Sequence, residues 1–198
     1  MRVLFYLASA FTLSLALPQG SQELVATDDC PEVVPGPGLP SLASLNLTSA
    51  DLCKSPEEFQ MSLYGQVESP SSAQDSANDE KQLVKRYTPW CSGTHISAPY
   101  AASCFNYLYA LGSTACEVPR GVVSRFCHST GSGSNVAWYG STIDGLYSSS
   151  TCMDVARGGE WVFWNCIASA PGAGPQFIRE GANAAWGNAR LAVRIGPM

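Results

Sequence analysis

The sequence predicts an α+β fold, in which a small antiparallel sheet carries one or two helices on one face and disulfide bonds stabilise the domain. Three observations predict it. Residues 189–195, ARLAVRI, alternate apolar and polar side chains as a half-buried strand does. Residues 98–111, APYAASCFNYLYAL, space their apolar side chains at helical intervals. The chain also contains eight cysteines, an even number that favours disulfide pairing.

The helix over 98–111 has signals at both of its ends. Ser97 is a suitable N-cap, Pro99 lies within the first turn, and Gly112 is placed to end the helix. Residues 116–128 leave two alternatives open, a short helix that starts near Pro119 or a strand through Val122 and Val123. Residues 135–139 predict a strand.

The remaining strands are predicted near the C-terminus. A short helical turn is expected near 150–156, before a Gly158-Gly159 turn. Residues 160–168, EWVFWNCIA, are rich in aromatic and β-branched residues and predict a strand, and QFIRE at 176–180 predicts a second one. In the last strand two faces are expected: Leu191, Val193 and Ile195 towards the core, and Arg190, Ala192 and Arg194 away from it.

The first 16 residues predict a secretory signal peptide. A short basic start precedes an apolar run of about 14 residues, and small side chains stand at the expected cleavage positions. A bilayer-spanning helix needs roughly 20 residues, so no transmembrane anchor is expected here. The sequence therefore predicts a secreted, extracellular protein.

Residues 17–86 differ in composition from the rest of the chain. They contain eleven acidic and four basic residues and are rich in Ser and Pro, which is typical of unfolded or loosely folded chain. Residues 87–198 contain five acidic residues, six arginines, no lysine and all five tryptophans. The pair Lys85-Arg86 stands at this change, where flexible chain is readily cut. We expect an acidic propeptide at 17–86, a cleavage after Arg86 and a mature domain at 87–198; the alternative is an ordinary surface dipeptide.

The cysteines divide between the two regions. Cys30 and Cys53 form a possible pair within the propeptide, and six lie in the mature domain, with their pairing left open. There is no C-x-x-C motif and the two histidines lie far apart, so no metal site is expected. The six cysteines of the mature domain are Cys91, Cys104, Cys116, Cys127, Cys152 and Cys166.

A candidate glycosylation site lies in the predicted propeptide. Asn46 begins the one glycosylation tripeptide, Asn-Leu-Thr.

Catalytic motifs are weak in this sequence. His95 and His128, with Glu117 or Glu160, are the candidates for an acid–base site of the small ribonuclease type. Nothing in the sequence ties them together and there is no G-x-S-x-G motif, so we predict neither an enzyme nor a cofactor.

Arginines are the better candidates for binding. Arg190 and Arg194 should share one strand face, and Arg179 on a neighbouring strand is a possible third member of a patch for phosphate, carboxylate or a protein partner. The alternative is an ordinary solvated strand face. Nucleic-acid binding is not expected without lysines or a larger basic surplus.

The layout of the chain resembles that of kexin-processed, cysteine-rich small secreted proteins of filamentous fungi. It has a signal peptide, an acidic propeptide that ends in Lys85-Arg86, and a compact six-cysteine domain. That class includes effectors, necrosis-inducing toxins and killer-toxin-like proteins. The resemblance implies a processing protease of the secretory pathway and a host protein or cell-surface component as partner. A small secreted hydrolase and an antimicrobial or cell-surface structural protein are the alternatives.

Overall fold

A computed structural model describes residues 30–64, 87–132, 135–168 and 177–198. The predicted signal peptide, Lys85 and Arg86 lie outside these ranges. An antiparallel six-stranded sheet, a two-stranded ladder, three α-helices and four disulfides confirm the predicted disulfide-stabilised α+β fold. The elements are β1 (Glu32–Pro35), α1 (Pro56–Tyr64), β2 (Trp90–Ser97), α2 (Ala98–Ala110), β3 (Ala115–Val118), β4 (Ser124–Thr130), β5 (Val136–Thr142), β6 (Ser148–Thr151), α3 (Cys152–Asn165), β7 (Phe177–Ala185) and β8 (Asn188–Pro197).

The main sheet has the strand order β1-β4-β5-β8-β7-β2, and β3 pairs separately with β6. All the pairings are antiparallel. β7 and β8 form a hairpin whose turn needs a glycine, because Gly187 has a φ of +67°. Leu191, Val193 and Ile195 of β8 are fully buried as predicted, and Arg190 and Arg194 are accessible. Ala192, predicted to lie away from the core, is only 4% exposed.

α2 and α3 pack against each other on one face of the sheet. The predicted helix over 98–111 is confirmed as α2, with Pro99 in its first turn. Trp138 of β5 lies beneath both helices, because its Nε1 donates a hydrogen bond to the Ala101 carbonyl at 3.1 Å and its ring faces Gly159. Phe105 and Phe163 join the two helices edge to face at 6.2 Å, so the core lies between the helix pair and the sheet.

The strand predicted over 160–168 is wrong, because residues 152–165 form α3. Thr151 caps the helix by accepting a hydrogen bond from the Asp154 N–H at 3.0 Å. The predicted Gly158-Gly159 turn lies in the middle of this helix. A Cβ at Gly158 would stand 2.3 Å from the Ala184 carbonyl oxygen, and one at Gly159 would stand 2.2 Å from the Trp138 ring. The two glycines therefore serve close packing on the sheet.

The alternatives left open for 116–128 resolve into two strands, β3 and β4. Val122 and Val123, where the strand alternative was centred, lie in the connection between them and are exposed. Gly121 has a φ of +68° and its N–H donates to the Gly145 carbonyl at 3.1 Å, which closes this connection against the β5–β6 turn.

Residues 30–64, here called the N-terminal segment, are folded, and the expectation of unfolded chain is wrong for them. They contain β1, the short 3₁₀ helix Ala43–Leu45 and α1. β1 extends the main sheet beside β4, and α1 packs on α2. Leu52 is completely buried and Phe59 is 2% exposed. The segment is polar in composition, but it contains spaced apolar side chains. These side chains are buried by contact with the rest of the chain.

All eight cysteines are paired. Cys30 is bonded to Cys53 within the N-terminal segment. The other three bonds, whose pairing the sequence left open, join β2 to the end of α3, α2 to β4, and β3 to the start of α3. They are Cys91–Cys166, Cys104–Cys127 and Cys116–Cys152. None of the four bonds links the N-terminal segment to residues 87–198. Among the described residues, no helix is both long and apolar enough to cross a membrane.

Candidate functional site

The face of the main sheet that α2 and α3 leave open carries a row of directly paired residues, one from each of five strands. Arg125 of β4 stands opposite Tyr139 of β5, which stands opposite Arg194 of β8. Arg194 stands opposite Ala182 of β7, which stands opposite Trp90 of β2. Directly opposed residues of antiparallel strands project on the same face. We call these five residues the open-face row.

Arg194 is fixed at the centre of the open-face row. Its guanidinium is ion-paired with the Glu180 carboxylate, and its Nε donates to Glu180 Oε1 at 2.6 Å. It also lies over the Tyr139 ring, at 5.4 Å from the centroid. Glu180 is only 8% exposed and accepts a second hydrogen bond, from the Ser92 hydroxyl at 3.2 Å. A buried carboxylate thus holds the half-exposed arginine in one position.

The other arginines of the predicted patch are placed differently. Arg190 is exposed and bonded to Asp144, with Nε and Nη2 at 2.8 and 2.6 Å from Oδ2. The pKa of Asp144 is lowered, chiefly by a hydrogen bond from the Leu146 N–H and also by Arg190. Arg179 pairs with His95 beside an irregularity in β2 and does not stand opposite Arg194. The structure therefore makes Arg194 the member of the predicted set that lies in the open-face row.

The model of one protein family matches residues 88–196, more than half of the chain. The chain belongs to this family, described as Domain of unknown function (DUF8794). No curated protein and no solved structure matches the chain. The matched residues include β2–β8, α2 and α3, and the whole open-face row, whereas the N-terminal segment lies before them. Residues 88–196 are called the DUF8794 domain below.

The two histidines of the DUF8794 domain lie on strands that are far apart. His95 is in β2, at one edge of the sheet, and His128 is in β4, with β5, β8 and β7 between them. Neighbouring strands are about 4.8 Å apart, so β2 and β4 are separated by roughly 19 Å. This spacing does not favour the predicted acid–base alternative, which needs both histidines on one substrate. His128 is 9% exposed, between β1 and β5.

A shallow cleft of about 530 Å³ lies beside the β7–β8 turn of the DUF8794 domain. The ring of Trp186 stands exposed at its rim. Three polar side chains of the cleft have partners in the fold. Thr151 and Asp154 cap α3, and the Asn188 amide donates to Ser148 Oγ and to the Ser149 carbonyl at 3.1 and 3.0 Å. We therefore assign these three side chains a structural role.

Sequence reasoning missed Arg125, Tyr139 and Trp90 as members of one surface. The alternation of β8 was sufficient to select Arg194. Arg125 and Tyr139 lie on the consecutive strands β4 and β5, but the row reaches Arg194 and Trp90 only through the non-consecutive pairings of β5 with β8 and of β7 with β2. Their alignment depends on strand order and register, which a single sequence does not contain.

Proposed function

We propose that the protein is a secreted binding protein of the fungal effector or toxin class, made as a preproprotein, which acts outside the producing cell on a host or competitor component. The open-face row is the observation that carries this proposal. Its side chains are of the types that dominate binding energy at protein interfaces, namely Trp, Tyr and Arg. Arg125, Tyr139 and Arg194 stand on adjacent strands, and the buried Ala182 separates them from Trp90, on a sheet face that neither α2 nor α3 covers.

The geometry around Arg194 favours recognition of another macromolecule. A surface arginine with a free choice of rotamers loses conformational entropy when it binds. The Glu180 contact and the Tyr139 ring have already ordered this arginine, so less entropy remains to be lost on binding. Trp90, which is 39% exposed, adds a large apolar surface at the other end of the open-face row.

Three further observations support the secreted, processed form. The N-terminal residues have the layout of a signal peptide. Four disulfides are typical of proteins that fold in an oxidising compartment. The family match begins at residue 88, two residues after Arg86, so the proposed cleavage would leave the whole matched sequence in one polypeptide.

The test compares variants of the secreted protein for their effect on plant tissue and on cultures of competing fungi. Trp90→Ala should reduce cell death or growth inhibition at least about tenfold, the effect of losing an interface anchor. Arg157→Ala is the matched control for arginine removal, because Arg157 lies on α3, on the opposite side of the sheet, and is similarly exposed.

Removal of Arg194 needs a balanced variant, because Arg194→Ala alone leaves the buried Glu180 carboxylate without its cation. The double variant Glu180→Gln with Arg194→Ala removes both charges and should lose activity while keeping the thermal unfolding temperature near that of the parent. Full activity of this variant and of Trp90→Ala would show that the open-face row is not the binding surface.

A further inference from the structure

We infer that the N-terminal segment stays bound to the DUF8794 domain after cleavage at Lys85-Arg86, so that the mature protein consists of two chains held together by non-covalent contacts. This inference rests on the processing step of the proposed function. It departs from the usual fate of a propeptide, which is removal. Three sets of contacts carry it.

The first contact is a strand added to the edge of the sheet. β1 pairs with β4 over four residues, from Glu32 opposite Thr130 to Pro35 opposite Cys127. The Gly36 N–H continues the ladder by donating to the Phe126 carbonyl at 2.8 Å. No larger residue fits at Gly36, because a Cβ there would lie 2.0 Å from the Arg125 carbonyl oxygen. Without β1, the backbone groups on this side of β4 would lose their partners.

The second contact covers the outer side of α2. The Asn106 amide donates to the Leu52 and Lys54 carbonyls at 3.0 and 2.9 Å. The Tyr107 hydroxyl donates to the Pro40 carbonyl at 2.7 Å, and burial raises the pKa of Tyr107 far above its ordinary value. Both side chains are completely buried. These hydrogen bonds therefore join buried side chains of the DUF8794 domain to a segment outside it.

The third contact is apolar. Leu52 and Phe59 of the N-terminal segment are buried in the main core, and Leu39, Leu42, Leu45 and Leu47 pack against it. Every residue of α2 from Tyr100 to Tyr109 is buried. A helix that is buried all round is covered on every side by other elements. The sheet and α3 cover one side of α2, and the N-terminal segment covers the other.

Nothing covalent opposes the departure of the segment once the chain is cut. Its one disulfide, Cys30–Cys53, is internal, and the other three bonds lie within residues 91–166. Retention therefore depends on the three contacts alone. Departure would expose the outer apolar side of α2 and an unpaired edge of β4, and it would break the hydrogen bonds of Asn106 and Tyr107 to the segment. Each of these changes disfavours the separated state.

The test uses the full secreted chain with a specific protease recognition sequence inserted between Arg86 and Tyr87, so that it does not depend on natural processing. After cutting, gel filtration and native mass spectrometry should find both chains in one 1:1 complex. The chains should separate in denaturant without reductant, because no disulfide joins them. Elution of 87–198 alone, either folded or aggregated, would overturn the inference.

Interface variants of the cut protein show whether these contacts hold it together. Phe59→Ala should raise the apparent Kd between the chains at least about 100-fold. Met61→Ala is the matched control, since Met61 lies two residues away on α1 and is 51% exposed; its Kd should equal that of the parent. Equal Kd values for the two variants would contradict the proposed contact.

Hydrogen exchange on the uncut chain provides an independent measurement. The amides of β1 and of Phe59 should be protected together with those of α2, because they share one core. Exchange of the segment amides at the rates of unstructured chain would overturn the inference, whatever the result of cleavage. If the natural product proves to be uncut while these tests succeed, the proposed processing fails and the docking of the segment stands.

Discussion

His128, at the contact between β4 and the N-terminal segment, should make the stability of the protein depend on pH. It lies in β4 opposite Val34 of β1, and the charged groups that act on it are Arg125 and Glu32. Burial is the main cause that lowers its pKa below 6.5, Arg125 lowers it further, and Glu32 raises it. In the folded protein the imidazole therefore binds its proton at a lower pH than it does in the unfolded chain.

Acidification should destabilise the folded protein through His128. Just below pH 6.5 the unfolded chain binds a proton that the folded protein does not bind, so the free energy of unfolding falls as the pH falls. We expect the urea midpoint to be lower at pH 5 than at pH 7.5. His128→Gln should reduce this difference, whereas His95→Gln, at an exposed position, should keep it. An unchanged pH dependence in His128→Gln would contradict this assignment.

Gly159 shows how one side chain decides the position of α3. Alanine favours helix over glycine by about 1 kcal/mol, so propensity alone predicts a gain from Gly159→Ala. The structure predicts the opposite, because the new methyl group would meet the Trp138 ring. We expect a loss of about 1–3 kcal/mol in the free energy of unfolding, measured by denaturant titration. Gly93→Ala, at a site with open space, is the control and should change little.

α3, part of which was predicted to be a strand, shows which features of a helix local sequence predicts and which it does not. Residues 160–168 have a strand composition, and Gly158-Gly159 has the form of a turn. The helix forms because Thr151 and Asp154 cap it and because two adjacent glycines let it approach Ala184 and Trp138. The capping pair was visible in the sequence as a T-x-x-D spacing, whereas the close packing was not.

The sequence predicted correctly that β8 places Leu191 in the core and Arg190 at the surface, and substitutions at these two positions should differ in their effect on stability. Leu191→Ala should reduce the free energy of unfolding by about 2–5 kcal/mol, because Leu191 is fully buried. Arg190→Ala, one residue away, removes only the exposed ion pair with Asp144 and should cost less than about 1 kcal/mol. Comparable losses in the two variants, measured by chemical denaturation, would contradict the described faces of β8.

At the scale of the whole molecule, the disulfides divide the chain into two cross-linked parts. Cys91–Cys166 closes the longest loop, with a sequence separation of 75, against 23 for Cys104–Cys127. In the loop-entropy estimate, these bonds contribute about 4 and about 3 kcal/mol respectively. Replacing both cysteines of a pair with alanine should lower the thermal unfolding temperature in each case, and more for Cys91–Cys166. The reverse order would show that strain or residual unfolded structure outweighs loop length.

Two features of the whole molecule could not be predicted from the sequence. The open-face row depends on strand order, so only Arg194 could be identified in advance. The N-terminal segment was predicted to be unfolded from its polar composition, yet Val33, Leu52 and Phe59 are buried. Composition indicates whether a segment can bury enough apolar surface by itself. This segment instead buries its apolar side chains by packing on α2 and pairing with β4.

We propose that this is a secreted preproprotein whose chain is cut after Arg86, so that residues 87–198 become a separate polypeptide. The most direct measurement is the intact mass, under denaturing conditions, of protein collected from the medium of the natural producer. We predict a chain that begins at Tyr87, and its replacement by a longer chain when Lys85→Ala and Arg86→Ala are introduced together. Wild-type protein in the medium that carries residues 30–198 as one continuous chain would contradict the account.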